Sequence, residues 1–178
     1  VISYTAFGWS ATPSGALGLN NQTSVSSPTQ VGAASNWKQV AASGINRSAL
    51  IDRSNNLWVM GDNQYGGLAQ NTPVGSHVSS PIQIPGTWSL VRQGSYGGGG
   101  IKPDGTLWAW GSNQHGNLGI NTPNNDHQSS PVQVGTDTDW SSNINHIHQI
   151  ANTDTLNIKT DGTLWMWGRN NEGVLAQN

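Results

Sequence analysis

His146-Ile147-His148 sets two imidazoles two residues apart, the spacing that puts both on one face of a strand and begins a metal site. Asp154 is the nearest third ligand, and without a third donor the pair reads first as two exposed or hydrogen-bonded histidines. Asp126-His127 lies just before Ser129-Ser130, so one short segment holds the residue types of a nucleophilic relay. A relay also needs an oriented base and an oxyanion hole, so loop solvation is the expectation here. Asp104 and Asp161 recur at the same position of an Asp-Gly-Thr-Leu-Trp phrase, which marks turn formers rather than catalytic carboxylates. Gly97-Gly98-Gly99-Gly100 is followed by neither Lys-Ser/Thr nor a helix and is no phosphate loop. The expectation is a protein that is not an enzyme, with no metal and no cofactor.

The elements that position these residues repeat. Ala6-Phe7-Gly8, Trp58-Val59-Met60-Gly61, Trp108-Ala109-Trp110-Gly111 and Trp165-Met166-Trp167-Gly168 are one phrase, spaced 53, 50 and 57 residues apart. Ser26-Ser27-Pro28, Ser79-Ser80-Pro81 and Ser129-Ser130-Pro131 keep that period. Each is followed by an alternating stretch such as Val132-Gln133-Val134, then a lone Trp at 37, 88 and 140. A turn precedes each Trp phrase, with Asn55 standing where the sister turns have Gly105 and Gly162. A period near fifty residues signals a repeat architecture.

Each period offers four short extended segments, and no stretch has convincing helical periodicity. The Asp-Gly turn is a strong hairpin signal. Beyond it, Trp108 and Trp110 share one face of a strand, and Leu107 and Ala109 the other. Pro28, Pro81 and Pro131 are expected to open a strand, where a missing N–H is harmless. Gly66-Gly67 and Gly116 read as bends where neighbouring units approach, and Asn20, Asn71 and Asn121 as loop chemistry. The fold class is all-β: about three to three and a half four-stranded β-propeller blades in a single repeat region, 1–178, divided at 1–36, 37–87, 88–139 and 140–178.

The composite of Ser-Ser-Pro-Val-Gln-Val, lone Trp, and Lys-x-Asp-Gly-Thr-Leu-Trp-x-Trp-Gly-x-Asn-x-x-Gly-x-Leu-Gly (nearly intact over 102–119) resembles the regulator-of-chromosome-condensation repeat family. The phrasing is also similar to tandem repeats in bacterial and marine-phage surface proteins. The resemblance implies a propeller that closes with about seven blades. Three blades do not close in that geometry, so the chain is expected to be an open arc or part of a larger propeller, with strand edges that associate. Family repeats carry a His before the strand preceding the Asp-Gly turn. Here that slot holds Arg47, Gly97 and Asp154, so no role of that His carries over. Gly97–Gly100 is expected to give a weak strand or a close backbone approach. The segment around Asn143-Ile144-Asn145 holds about four residues more than its sisters, a bulge or protruding loop.

Only 9% of the 178 residues are charged, against roughly 25% in ordinary soluble domains, so polar neutral residues and glycine do the solvating. Nine tryptophans argue against disorder. A net charge of −2 with seven scattered Lys and Arg argues against nucleic-acid binding. There is no cysteine, and no apolar run approaches the roughly 20 residues of a membrane span, so no membrane insertion is expected. No signal peptide is visible, and a chain beginning at Val1 reads as a processed product or a piece of something longer.

Trp37, Trp58, Trp88, Trp108, Trp140 and Trp165 hold fixed repeat positions and read as packing. Trp9 departs from its sister positions, and Tyr65 and His115 occupy equivalent, varying loop positions. With His77 and His127 they are the candidate contact residues. The functional expectation is a non-enzymatic structural or interaction module, extracellular or on a virion, such as a phage tail, fibre or capsid appendage. Its partners would be proteins or copies of itself. A glycan-binding propeller that meets cell-surface glycan is the alternative. Guanine-nucleotide exchange with chromatin docking, which the resemblance also implies, fits the few scattered basic residues poorly.

Overall fold

The alternation in the Trp phrase requires a strand with two buried faces, and the computed structural model places it between two neighbouring sheets. The structure describes residues 4–10, 14–33, 35–43, 46–72, 75–146, 153–171, 173 and 175, with backbone alone for Trp9 and Ser10. Strand β1 (Phe7–Ser10) pairs with β2 (Val25–Gln30). Strands β3 (Trp37–Ala42), β4 (Arg47–Asp52), β5 (Asn56–Asp62) and β6 (His77–Thr87) form an antiparallel four-stranded meander. A second meander holds β7 (Leu90–Gln93), β8 (Gly97–Ile101), β9 (Leu107–Gly111) and β10 (Gln128–Gln133). Strand β11 (Asp154–Ile158) pairs with β12 (Leu164–Gly168), and an isolated bridge joins Trp140 to Lys159 beside them.

Among the described residues, three apolar clusters lie between successive sheets rather than within them. Leu57, Val59 and Ile84 meet Trp88, Val91 and Trp110 of the next sheet. Leu107, Ala109 and Val134 meet Trp140. Leu50 and Met60 meet Ala6 and Val31 on the other side. Strands β5 and β9 therefore divide their side chains between two cores, as the alternation of the Trp phrase requires. The lone Trp packs edge-on against the first Trp of its own sheet: Trp37 on Trp58, Trp88 on Trp108 and Trp140 on Trp165, with ring centroids 6.4, 6.5 and 6.3 Å apart.

The glycine run forms a full strand, buried from Gly97 to Ile101. The close approach accounts for it. A Cβ on Gly100 would lie 2.8 Å from the Trp88 ring, and one on Gly98 would lie 2.9 Å from Trp110 Nε1. Two tryptophans supply the apolar surface that the strand itself lacks.

The prolines correct an expectation. Pro28, Pro81 and Pro131 lie inside β2, β6 and β10 rather than at their starts. In all three pairings the register shifts across the Ser-Ser-Pro segment, between Gly8 and Ser10, Val59 and Gly61, and Gln128 and Val132. A bulge on an outer strand tolerates a residue without a donor. It also presents the Ser carbonyls sideways. Ser79 O accepts from the Asn20 N–H at 2.8 Å, and Ser129 O from that of Asn71 at 2.6 Å, each across a sheet boundary. Asn20 and Asn71 have φ of 59° and 50°, the left-handed conformation asparagine tolerates.

Candidate functional site

In a four-stranded meander the first and third connections lie at one end and the second at the other. At the first end, the loops after β5 and β9 are built around a buried asparagine. Asn63 Oδ1 accepts the Leu68 N–H at 3.1 Å and its Nδ2 donates to Thr72. Asn113 does the same for Leu118, at 3.1 Å, and for Thr122. These hubs hold each loop as a compact turn and leave Tyr65 and His115 at equivalent positions.

Tyr65 sits in a 3₁₀ turn, Gln64–Gly66, with φ at 59° and ψ at 21°. Its ring lies edge-on between two rings from the neighbouring sheet: Tyr96, centroid 6.0 Å away, and His127, 4.9 Å away. Tyr96 comes from the β7–β8 connection and His127 from the residue before β10. His127 Nδ1 accepts the Asn113 N–H at 3.0 Å, so the neutral ring carries its proton on Nε2.

Arg47 fastens the base of this cluster. Its guanidinium is buried, with Nε donating to Asp62 O at 2.6 Å and Nη2 to the Asp62 carboxylate at 3.2 Å and to Gln64 O at 3.0 Å. Nη1 donates to Ser95 O, next to Tyr96 in the following sheet. Burial pulls the guanidinium pKa below its ordinary value, opposed by the charge of Asp62. Arg47 thus turns the slot where the resembled repeats carry His into a staple between sheets.

The candidate contact residues separate here. Tyr65 and His127 come together. His77 stands apart from the rings, its Nδ1 3.4 Å from Asp62 Oδ1. His115 is half-buried in its own loop, its backbone N–H donating to Asn117 Oδ1 at 3.2 Å. Trp9 lies in β1, and its side chain is outside the described residues. His148 is also outside them, while His146 Nδ1 lies 2.9 Å from Ser141 Oγ. Ser129 Oγ donates to Asn71 Oδ1 at 3.3 Å and His127 Nδ1 is taken by Asn113, so the Ser-His-Asp segment makes loop contacts. Among the described residues no three His, Cys, Asp or Glu converge as metal ligands. The Asn143–His146 segment is a turn whose Ile144 carbonyl accepts from Arg92 Nη2 at 3.0 Å. Sequence reasoning missed Tyr96; an aromatic in the turn Gly94-Ser95-Tyr96, just before the glycine run, was the available signal.

The opposite end repeats a polar chain. Asp104 Oδ1 accepts from the Thr106 hydroxyl at 2.7 Å and its N–H at 3.0 Å, and the Thr106 hydroxyl accepts from Trp108 Nε1 at 2.8 Å. Asp161, Thr163 and Trp165 reproduce it. In the first four-stranded sheet, Asp52 accepts directly from Trp58 Nε1 at 3.2 Å. The Thr106 bonds lower the Asp104 pKa, and the Thr163 bonds that of Asp161. For Asp52, burial raises the pKa, but the bonds from Asn56, Trp58 and Ser54 outweigh it and the net shift is downward. Lys102 Nζ lies 3.6 Å from the Trp108 ring centroid. Lys159 stands over Trp165 and bonds Asp137 at 2.7 Å, which raises its pKa.

The Regulator of chromosome condensation (RCC1) repeat model matches residues 104–151. This segment carries the RCC1 repeat signature. No curated protein matches the sequence. Among solved structures, the chain is similar to yeast RCC1 (Prp20) in its structure with Kap60, at 20% identity and a TM-score of 0.75 over 99% of this chain. It is similar to human WBSCR16 at 23% identity and a TM-score of 0.73 over 98%. A further match is Prp20p from Saccharomyces cerevisiae, studied with its binding to Gsp1p and histones, at 21% identity and a TM-score of 0.74 over 99%. The chain covers 43%, 45% and 45% of those three chains, so it spans less than half their length. The likeness shows the fold: RCC1-type β-propeller blades, a partial propeller.

Proposed function

We propose that this protein is a non-enzymatic contact module, in which stapled blades form a rigid frame and the loop end bearing Tyr65, Tyr96 and His127 meets a protein partner. Tyr65 is the observation that carries this reading. A bulky aromatic held at positive φ costs roughly 1–2 kcal/mol and persists only where its surroundings impose it. Here two rings from the next sheet, and the Arg47 staple that ties Tyr65's own sheet to it, do so, at the positions that vary between repeats. Tyrosines at such a junction are rigid anchors with a polar tip. The weakly charged surface fits a virion or cell exterior. Immunogold labelling of intact particles and cells tests the setting: label on particles or envelopes is expected, and label confined to cytosol would remove it.

A glycan ligand is the second reading, favoured by the exposure of Tyr96, 37% of whose surface is open for stacking against a sugar ring. A glycan array separates the two: binding that is lost in Tyr96→Ser selects the glycan.

A further inference from the structure

We infer that Lys102, held on the faces of Trp88 and Trp108, is a docking site for carboxylates of a protein partner, presented by a segment of the Asp-x-Asp class. The chain carries its own template for such a contact. In the next repeat the equivalent Lys159 stands over Trp140 and Trp165, 5.3 and 4.8 Å from the ring centroids. Its ammonium meets two carboxylates two residues apart, Asp137 Oδ2 at 2.7 Å and Asp139 Oδ1 at 3.1 Å. With rings on one side and acids on the other, Lys159 is buried.

Lys102 keeps the rings and lacks the acids. Its Nζ lies 5.3 Å from the Trp88 ring centroid and 3.6 Å from that of Trp108. Counted back from the lone Trp, Pro85, Gly86 and Thr87 stand where the next repeat has Asp137, Thr138 and Asp139. All three are exposed, and a Cβ on Gly86 would lie 3.9 Å from Lys102 Cε, so this segment passes alongside the lysine stem. Asp104 shares the turn with Lys102, but its Oδ1 accepts twice from Thr106. Among the described residues Lys102 makes no ion pair. An ammonium laid on an indole face keeps its other N–H donors for a partner. The rings already fix its place, which removes much of the ordering cost that makes most surface ion pairs weak. A second copy of this chain is a poor occupant, because its Asp137 and Asp139 are committed to Lys159. The slot lies at the end of the sheets opposite Tyr65, so this contact does not rest on the role of that cluster.

The test titrates the 178-residue chain with acetyl-Asp-Thr-Asp-amide, which copies residues 137–139, and follows amide and indole signals by NMR at low salt. Saturable shifts are expected at the Trp108 Nε1–H and at the amides of Gly86, Thr87 and Lys102. Raising sodium chloride from about 20 to about 500 mM should weaken binding severalfold, because salt screens exposed charges. Lys102→Met, which keeps an apolar stem on the rings, should weaken it about fivefold, and Lys102→Arg should restore most of it. Thr87→Asp installs the acid that the next repeat has at Asp139; it should occupy Lys102 and exclude the peptide. Melting curves establish that all three variants are folded. Equal binding of acetyl-Asn-Thr-Asn-amide, undiminished binding by Lys102→Met, or shifts centred on another cation would overturn the inference. So would shifts of the same size from sialic acid at equal concentration, which would make the ligand a glycan.

Discussion

The side-chain amide of Gln39 engages both backbone groups of Val91: Nε2 donates to Val91 O at 2.6 Å and Oε1 accepts the Val91 N–H at 3.4 Å. The two residues lie on the first strands of successive four-stranded sheets, and both are buried. Gln39→Leu, which installs the residue type that Leu90 has in the sister position, leaves the buried Val91 N–H without its Gln39 acceptor, while Val91 O keeps the Arg92 Nη1 donor at 3.1 Å. The expected loss is about 1–3 kcal/mol, read from urea unfolding. An unchanged midpoint would mean that the bond is idle.

Arg47 joins the same two sheets through Ser95, Asp62 and Gln64. Arg47→Met leaves Asp62 without its cationic partner and frees the turn that carries Tyr96. About 3–5 kcal/mol should be lost, and amide exchange should accelerate first around Ser95 and Tyr96.

Gly100→Ala tests the close approach of β8. The added carbon would meet Leu90 O at 2.7 Å and the Trp88 ring at 2.8 Å, both buried and hard to move. A loss of about 1–3 kcal/mol is expected. Near-UV circular dichroism should report the displaced Trp88.

Asp52, Asp104 and Asp161 are held below the usual carboxylate range in the folded chain. The unfolded chain therefore binds more protons in that range. Stability from these groups is present above about pH 3.9, the unfolded Asp value, and is lost as pH falls through the folded values. Melting temperature should fall steeply from about pH 4 downward. Asp104→Asn with Asp161→Asn, which keeps acceptors but removes the titration, should flatten that fall.

Much of the fold was legible because the physics that sets it is local and repeated. The Asp-Gly turn, the two-faced Trp strand and the fifty-residue period are each written in neighbouring residues. The bulge that seats Pro28, Pro81 and Pro131 inside a strand depends on the partner strand, which their own sequence does not reveal. The glycine run looked weak because its stabilising surface, Trp88 and Trp110, comes from two other strands. The site was half legible for the same reason. Tyr65 and His127 stood out as varying loop residues, but their junction with Tyr96 spans two sheets. Arg47 departs from the pattern of the repeats the chain resembles, which its own position reveals, while its role as a staple depends on Ser95, 48 residues away.

The most direct test of the account compares what the wild-type chain and the Tyr65→Ser/Tyr96→Ser variant capture from virion or envelope proteins, with Lys38→Ala at the opposite end as control. Melting curves first establish that all three are folded. The account predicts one specific partner, captured by wild type and Lys38→Ala and lost by the double variant. A partner retained by the double variant, or lost with Lys38→Ala, would contradict the claim that the Tyr65 end is the contact surface.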